Sequence, residues 1–349
     1  MIDEIQIKNN INWLLENASY PVRYLTYKNI LKIDSDITPD LISKIEESDL
    51  VTDIFSKQEK DGSWCASGEW AAKPTMRKSG YTPVSPKYVT TVWILPLLGD
   101  LGYTIKDERI KKACEYILTY QRENGYIGEI IPNNSKRTDE GLDNDPCRFS
   151  VILIGLAKVK AVDDFRIKKS FDLLASWQRD DGGWVSENHS NQKNWTRSCP
   201  FSSYHSAFAL YSSGLEIYEK QIKIALEFLL DHLSKKKDSD IQRFFYHGHS
   251  VIHELLMFTE LKTGLDTNVF HSLLMWLLSM YQENHSCFKY NGKAIAKYKL
   301  KDDYMGSKVA KYRLFQLIED DWLTYYATRI FKNILEINQM IPITSERLY

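Results

Sequence analysis

Five polar clusters in the chain carry residue types suited to chemistry. They are Tyr88, Asp145-Pro146-Cys147, Tyr204-His205, the group Arg243, Tyr246, His247 and His249, and Asp321-Trp322. Each falls at the expected start of an apolar helical run. The unsatisfied N–H groups and positive dipole end of a helix make such a start a seat for an anion such as a diphosphate. Tyr88, Tyr204, Arg243, His247, His249 and Trp322 are therefore the candidate substrate contacts. His247 and His249 are two apart, so on a helix they would not face one ligand, and a joint role needs extended backbone. Quieter readings stand beside these. Asp145 before Pro146 is an ordinary N-cap and N1 pair. A lone Cys147 suits a small buried apolar position, and a lone His205 suits a hydrogen bond in the core.

The elements that must position these residues are announced by a recurring phrase, a Gln closing an apolar helix and then a Gly-aromatic turn. It reads Gln58 to Gly62 and Trp64, Gln121 to Gly125 and Tyr126, and Gln178 to Gly182 and Trp184. A worn copy runs from Gln282 through Ser286 to Phe288. The spacing is near 60 residues, with one period erased between Gln178 and Gln282, which is the signature of stacked supersecondary units. In each copy the Gln should bond orphan carbonyls at a helix end, the Gly should permit the turn, and the aromatic ring should pack over the next repeat.

Amphipathic stripes precede the phrases. Ile110, Cys114, Ile117 and Leu118 share one face, and Phe171, Leu174 and Trp177 repeat the pattern. Alternating with them are more apolar helices expected over Tyr88–Gly102, Cys147–Val162, Ser206–Gly214, His249–Gly264 and Trp322–Leu335. Gly102, Gly214 and Gly264 are the expected C-caps. Helices are also expected over Ile5–Glu16, Val22–Ile33 and Pro39–Lys57. Roughly twelve helices in antiparallel pairs, with no useful strand pattern, predict an all-α chain closed as an (α/α)6 toroid. The whole of residues 1–349 is expected to form one domain, with repeats over about 50–335.

The chain has 349 residues, 43% hydrophobic, with a formal charge of -1, so it can bury a large core and carries no nucleic-acid footprint. It has neither a signal-peptide pattern nor an apolar run long enough to span a membrane. Five dispersed cysteines without a secretion signal fit a reducing cytoplasm better than a disulfide framework.

The repeated Gln-x-x-x-Gly-x-Trp phrase resembles the QW repeat of squalene–hopene cyclases and protein prenyltransferase β-subunits, over about residues 50 to 335. More closely, Trp13-Leu-Leu-Glu16, Pro21-Val-Arg-Tyr24, Pro86-Lys-Tyr88-Val-Thr-Thr91-Val-Trp93 and Tyr246-His247-Gly-His249 resemble bacterial prenyltransferase and squalene-oxidase repeat proteins. The resemblance implies an isoprenoid or similar apolar substrate in a central cavity. Zinc prenyltransferases use Asp-x-Cys and a later His, which implies zinc on Asp145, Cys147 and His205 and activation of an incoming thiol. The basic diphosphate ligands of that family are not in register here; Lys136 and Arg137 are displaced. Those enzymes also pair with an α-subunit, a question the sequence leaves open. Class II terpene cyclases carry Asp-x-Asp-Asp, and Asp143-Asn-Asp145-Pro146 matches it in part, which implies Asp145 as the catalytic acid with His205 beside it. A non-catalytic binding or scaffold protein on the same fold is the remaining alternative.

Overall fold

The computed structural model describes residues 2–33, 39–64, 90–128, 146–185, 197–236, 245–246, 249–290 and 320–340. The chain is mostly helical. Its helices are α1 (Glu4–Asn17), α2 (Tyr20–Leu25, continued as a π-turn over Thr26–Leu31), α3 (Pro39–Glu46) and α4 (Asp49–Ser56). They are followed by α5 (Thr91–Asp100), α6 (Glu108–Leu118), α7 (Pro146–Lys158), α8 (Phe165–Ser176) and α9 (Pro200–Ser213). The last are α10 (Glu219–Ser234), α11 (Val251–Glu260), α12 (Asn268–Leu278) and α13 (Asp320–Met340). Two minimal antiparallel pairs join them: β1 (Phe245–Tyr246) with β2 (His249–Ser250), and β3 (Tyr281–Gln282) with β4 (Cys287–Phe288). Among the described residues no helix is long and apolar enough to cross a membrane.

The chain divides into two compact units. One comprises residues 42–232 with 298–313; the other comprises 1–41, 233–297 and 314–349. In the first unit α5, α7 and α9 are buried nearly all round, whereas α6 and α8 bury a single stripe. The first three pack side by side, α7 between α5 and α9.

The Gln phrase is the seam that holds successive pairs together. Gln58 Nε2 donates to the Gly62 carbonyl at 2.9 Å and to the Arg109 carbonyl in the first turn of α6 at 2.8 Å. Gln178 Nε2 repeats this with Gly182 at 2.8 Å and Gln221 of α10 at 2.8 Å. Gln121 reaches Arg166 of α8 at 2.7 Å and the Ser170 hydroxyl at 2.8 Å, which in turn donates to Gly125 at 2.6 Å. The amide thus clamps its own turn to the start of the next amphipathic helix, rather than serving orphan carbonyls of its own helix.

The glycine is required twice over. Gly62, Gly125 and Gly182 have φ of 89, 97 and 87°, and a Cβ on Gly62 would lie 2.4 Å from the Lys112 carbonyl carbon. Ser286 takes the left-handed position in the worn copy, with φ 52°. The tryptophans look backward as well as forward. Trp64 Nε1 donates to Ile54 and Trp184 Nε1 to Leu174, both at 2.8 Å, sealing a carbonyl of the helix just left. Their backbone N–H groups go ahead to a hydroxyl of the next apolar helix: Trp64 to Thr91 at 2.9 Å and Trp184 to Ser203 at 2.8 Å.

In the other unit Phe288 N donates to Thr324 Oγ1 of α13 at 2.8 Å, so the worn copy keeps this bond. The amphipathic partner of that turn is α1, which packs on α13. With its amide nitrogen turned to the acceptors, buried Asn10 donates to Ser286 O at 3.0 Å and to Tyr281 Oη at 3.2 Å. Helix α1 therefore stands to the Gln282 turn as α6 stands to the Gln58 turn, and it pairs the two ends of the chain. Ser19, which precedes α2, donates its N–H and hydroxyl to Asp321 at 3.0 and 2.5 Å.

Several boundaries depart from expectation. The Pro39–Lys57 helix is broken after Glu46, because Ser48 starts a new helix by accepting from Val51 N. Helix α9 starts at Pro200, ahead of the expected Ser206, with Pro in the first helical position. Gly102, Gly214 and Gly264 are all left-handed as expected, but α11 itself is capped two residues before Gly264 by Lys262 (φ 52°), with Thr263 N closing on Phe258 O at 3.0 Å.

Asp107 and Asp164 cap α6 and α8, and Arg166 bonds both Asp164 and Glu115. The Arg166 side chain holds both carboxyls below their ordinary 3.8 and 4.5. Depressed carboxyl pKa values give stability that is present above the ordinary values and lost as pH falls through the folded ones. Arg166→Gln is expected to flatten the pH dependence of unfolding below about pH 4.5 while leaving it unchanged between pH 6 and 8; urea titrations across that range read this out. Gln178→Ala, losing two hydrogen bonds, is expected to lower stability by about 1–3 kcal/mol. Ser286→Gly is expected to raise it by about 0.5–1 kcal/mol. A neutral Gln178→Ala in the same titrations would remove the seam from the account.

Candidate functional site

The seam fixes how each apolar helix is rotated. A hydroxyl bonded to the turn faces the turn, and the residue two further on lies about 200° round the helix, on the far face. Counting from Thr91, Ser203 and Thr324, those residues are Trp93, His205 and Tyr326, at 4%, 4% and 7% exposure. The seam thereby presents an indole, an imidazole and a phenol at one equivalent position of three repeats.

His205 sits in the second turn of α9, not at its start. Its Nδ1 lies 2.9 Å from the Phe201 carbonyl and 3.9 Å from the Cys147 Sγ on α7. A carbonyl only accepts, so the shorter contact places the proton on Nδ1 and leaves the lone pair on Nε2. Phe201 and Tyr204 meet the imidazole edge-on, with centroids 4.4 and 5.2 Å away, and Tyr204 stacks on Phe208 at 5.8 Å. Ser150 of α7 and Ser206 of α9 share a hydroxyl contact at 3.1 Å beneath the pair, so small side chains bring these helices together.

Cys147 is half-exposed, unlike Cys114, Cys199 and Cys287, which are buried. Burial pushes the Cys114 thiol up to about 12 and raises that of Cys287. The thiol and imidazole suit zinc by donor type. Their 3.9 Å separation is close to the ~3.6 Å expected between S and N ligands of a tetrahedral ion. The facing nitrogen is the one held by Phe201, so a metal binds Nε2 or displaces that bond. Among the described residues no three His, Cys, Asp or Glu side chains are grouped to hold an ion.

Of the other expected site residues, Asp145, Tyr88, Arg243 and His247 lie outside the described residues, as does the side chain of His249. The His249 backbone is extended and pairs with Tyr246. Trp322 is buried in the third position of α13 and stacks on Tyr326 at 6.3 Å. Two residues escaped the sequence reading: His253 and Glu254 of α11, at 8% and 2% exposure. The His253 ring meets Tyr326 edge-on at 5.0 Å, so the second unit also sets an imidazole against an aromatic wall. The signal for this position was the hydroxyl two residues earlier, Thr324 before Tyr326, which the aromatic-rich run around it obscured.

Among solved structures the chain is similar to the type II terpene cyclase MstE from Scytonema, at 15% identity and a TM-score of 0.47, over 96% of this chain and 100% of that one. A variant of that enzyme in complex with geranylgeranyl dihydroxybenzoate, its substrate, is similar at 14% identity and a TM-score of 0.45, over 95% of this chain and 98% of that one. No protein-family profile and no curated protein matches the chain.

Alkylation with iodoacetamide at about pH 8, followed by peptide mass spectrometry, is expected to label Cys147 well ahead of Cys114 and Cys287, because the thiolate is the reacting species. Equal labelling of Cys114 in the folded protein would contradict the packing described for α6.

Proposed function

We propose that the protein binds an isoprenoid or similarly apolar chain against its inner helices and cyclises it in the manner of a terpene cyclase, with Asp145 as the acid. One observation carries the reading. In the three repeats with a hydroxyl latch, the position turned away from the turn holds Trp93, His205 or Tyr326, a buried aromatic or imidazole ring. Ring faces attract the positive charge that develops on carbon during such a reaction. Asp145 directly precedes α7, whose Cys147 contacts His205. An apolar setting would favour the protonated form of this carboxyl, and His205 would position it. The proton passes from the carboxyl to an alkene carbon, π electrons close the ring bonds, and a proton is released, so the product is an isomer of the substrate.

The same reading closes the helix pairs into an (α/α)6 toroid. Its support is α1, which serves the last Gln turn as α6, α8 and α10 serve the turns before them.

A second reading rests on the Cys147–His205 contact. Zinc on Asp145, Cys147 and His205 Nε2, when bound, would hold an incoming thiol as thiolate for prenyl transfer.

Incubation with geranylgeranyl dihydroxybenzoate or geranylgeranyl diphosphate, read by chromatography and mass spectrometry, separates the two. Cyclisation predicts a product of unchanged mass, lost by about 100-fold or more in Asp145→Asn and indifferent to chelators and to Cys147→Ala. A zinc content lost with Cys147→Ala, together with thiol-dependent prenyl transfer, would replace the first reading by the second. A protein that binds neither compound would sink both.

A further inference from the structure

The only formal charges on α5, α7 and α9 are Asp100, Arg148 and Lys158. Two of these meet inside the first unit. Lys158 Nζ, at the end of α7, lies 2.5 Å from Asp100 Oδ1, at the end of α5, with the side chains 17% and 10% exposed. The same ammonium stands over the Phe208 ring of α9, 6.0 Å from its centroid, so one lysine touches all three helices. Gly99 permits its passage, since a Cβ there would lie 2.6 Å from the Lys158 Cβ.

Helical periodicity puts this pair on the face that carries the imidazole. Lys158 is eleven residues beyond Cys147, about 20° round the helix and about 16 Å along it. Asp100 is seven beyond Trp93, again about 20° round and about 10 Å along. Cys147 meets His205, and Trp93 faces away from the Thr91 latch. One wall of the unit therefore has an imidazole end and an ion-pair end. The plain account of the pair is a tie between α5 and α7. It leaves two features unexplained. A carboxylate ends α5, where the helix dipole favours the opposite charge, and a buried ion pair adds little net stability because both groups are desolvated.

We infer that Asp100 and Lys158 receive the polar end of the substrate, and that this end is a hydroxyl, of an isoprenoid alcohol or a prenylated phenol, rather than a diphosphate. The inference rests on the cyclase reading, in which Asp145 gives its proton beside the first turn of α7. Ring closure runs along the chain from the protonated alkene, so the polar end lies away from Asp145, toward the ion pair. A hydroxyl accepts from an ammonium and donates to a carboxylate at once. Asp100 and Lys158 have further partners in the fold, and a bound hydroxyl exchanges with one of these. A diphosphate held by Lys158 gives no such bond and meets the Asp100 carboxylate as a like charge.

Tryptophan-fluorescence titration of the whole chain with geranylgeraniol, a geranylgeranylated phenol and geranylgeranyl diphosphate tests it. The native protein is expected to bind the alcohol or the phenol about tenfold or more tighter than the diphosphate, and the tighter of the two names the head group. Asp100→Asn is expected to narrow that ratio about tenfold by removing the like charge. Lys158→Met is expected to weaken the hydroxyl ligands. Lys168→Gln, exposed on α8, should leave the ratio at its native value. Circular dichroism confirms that each variant is folded, and Asp100→Ser replaces Asp100→Asn if the latter is not. Diphosphate bound as tightly as the hydroxyl ligands, a ratio unmoved by loss of the carboxylate, or hydroxyl ligands indifferent to Lys158→Met would each overturn the inference and leave the cyclase reading standing. A native protein that binds none of the three removes the cyclase reading and the inference with it.

Discussion

A glutamine amide that donates two hydrogen bonds at once underlies the repeat. One bond closes the turn in which the glutamine sits and the other reaches the first turn of the next amphipathic helix, as with Gln58 to Gly62 and Arg109. For Gln58 and Gln178 both acceptors are backbone carbonyls, so the contact survives wide change in the side chains around it; Gln121 closes its turn through the Ser170 hydroxyl. The approach is close enough that the turn must present a glycine to the neighbouring backbone, as Gly62 does to Lys112. Each bond is worth about 1 kcal/mol net, which is modest. Its importance lies in repetition and in geometry, since it sets the spacing between one helix pair and the next.

From that spacing follows the rotation of the inner helices. The aromatic residue that ends the turn gives its N–H to Thr91, Ser203 or Thr324, and the far face of each helix is then decided. His205 is thus placed by a serine two residues earlier, and its tautomer by a carbonyl four residues earlier. In the repeat built on Tyr126 the N–H goes to Asn124 Oδ1 at 3.0 Å, and Phe149, in the place of the hydroxyl residue, packs against Tyr126 and Trp177. A polar latch and an aromatic cluster are two solutions to one positional demand.

Much of this was legible in the residues. The Gln-Gly-aromatic spacing and the alternating stripes define the helix pairs, and Gly102 and Gly214 mark their ends. Other features depend on competition between local and distant contacts. Gly264 is left-handed, yet Lys262 two residues earlier carries the cap of α11, because the 6→1 bond from Thr263 to Phe258 sets where α11 stops. Pro200 starts α9 six residues early, which moves His205 from the helix mouth into the body of the helix. The pairing of α1 with α13 joins residues some 300 positions apart, beyond any local pattern. The same holds for the Asp100–Lys158 pair, whose members come from separate helices. The quiet reading of Cys147 as a buried apolar residue fails for a similar reason: α9 leaves it half-exposed beside an imidazole.

The account centres on the seam placing a single imidazole in one orientation. Nitrogen-15 NMR of the His205 ring tests this directly. A proton on Nδ1 and a bare Nε2 are expected in the native protein and in Cys147→Ala, with the signals displaced in Ser203→Ala as α9 loses its latch. A proton found on Nε2 in the native protein, or a His205 ring indifferent to Ser203→Ala, would contradict it.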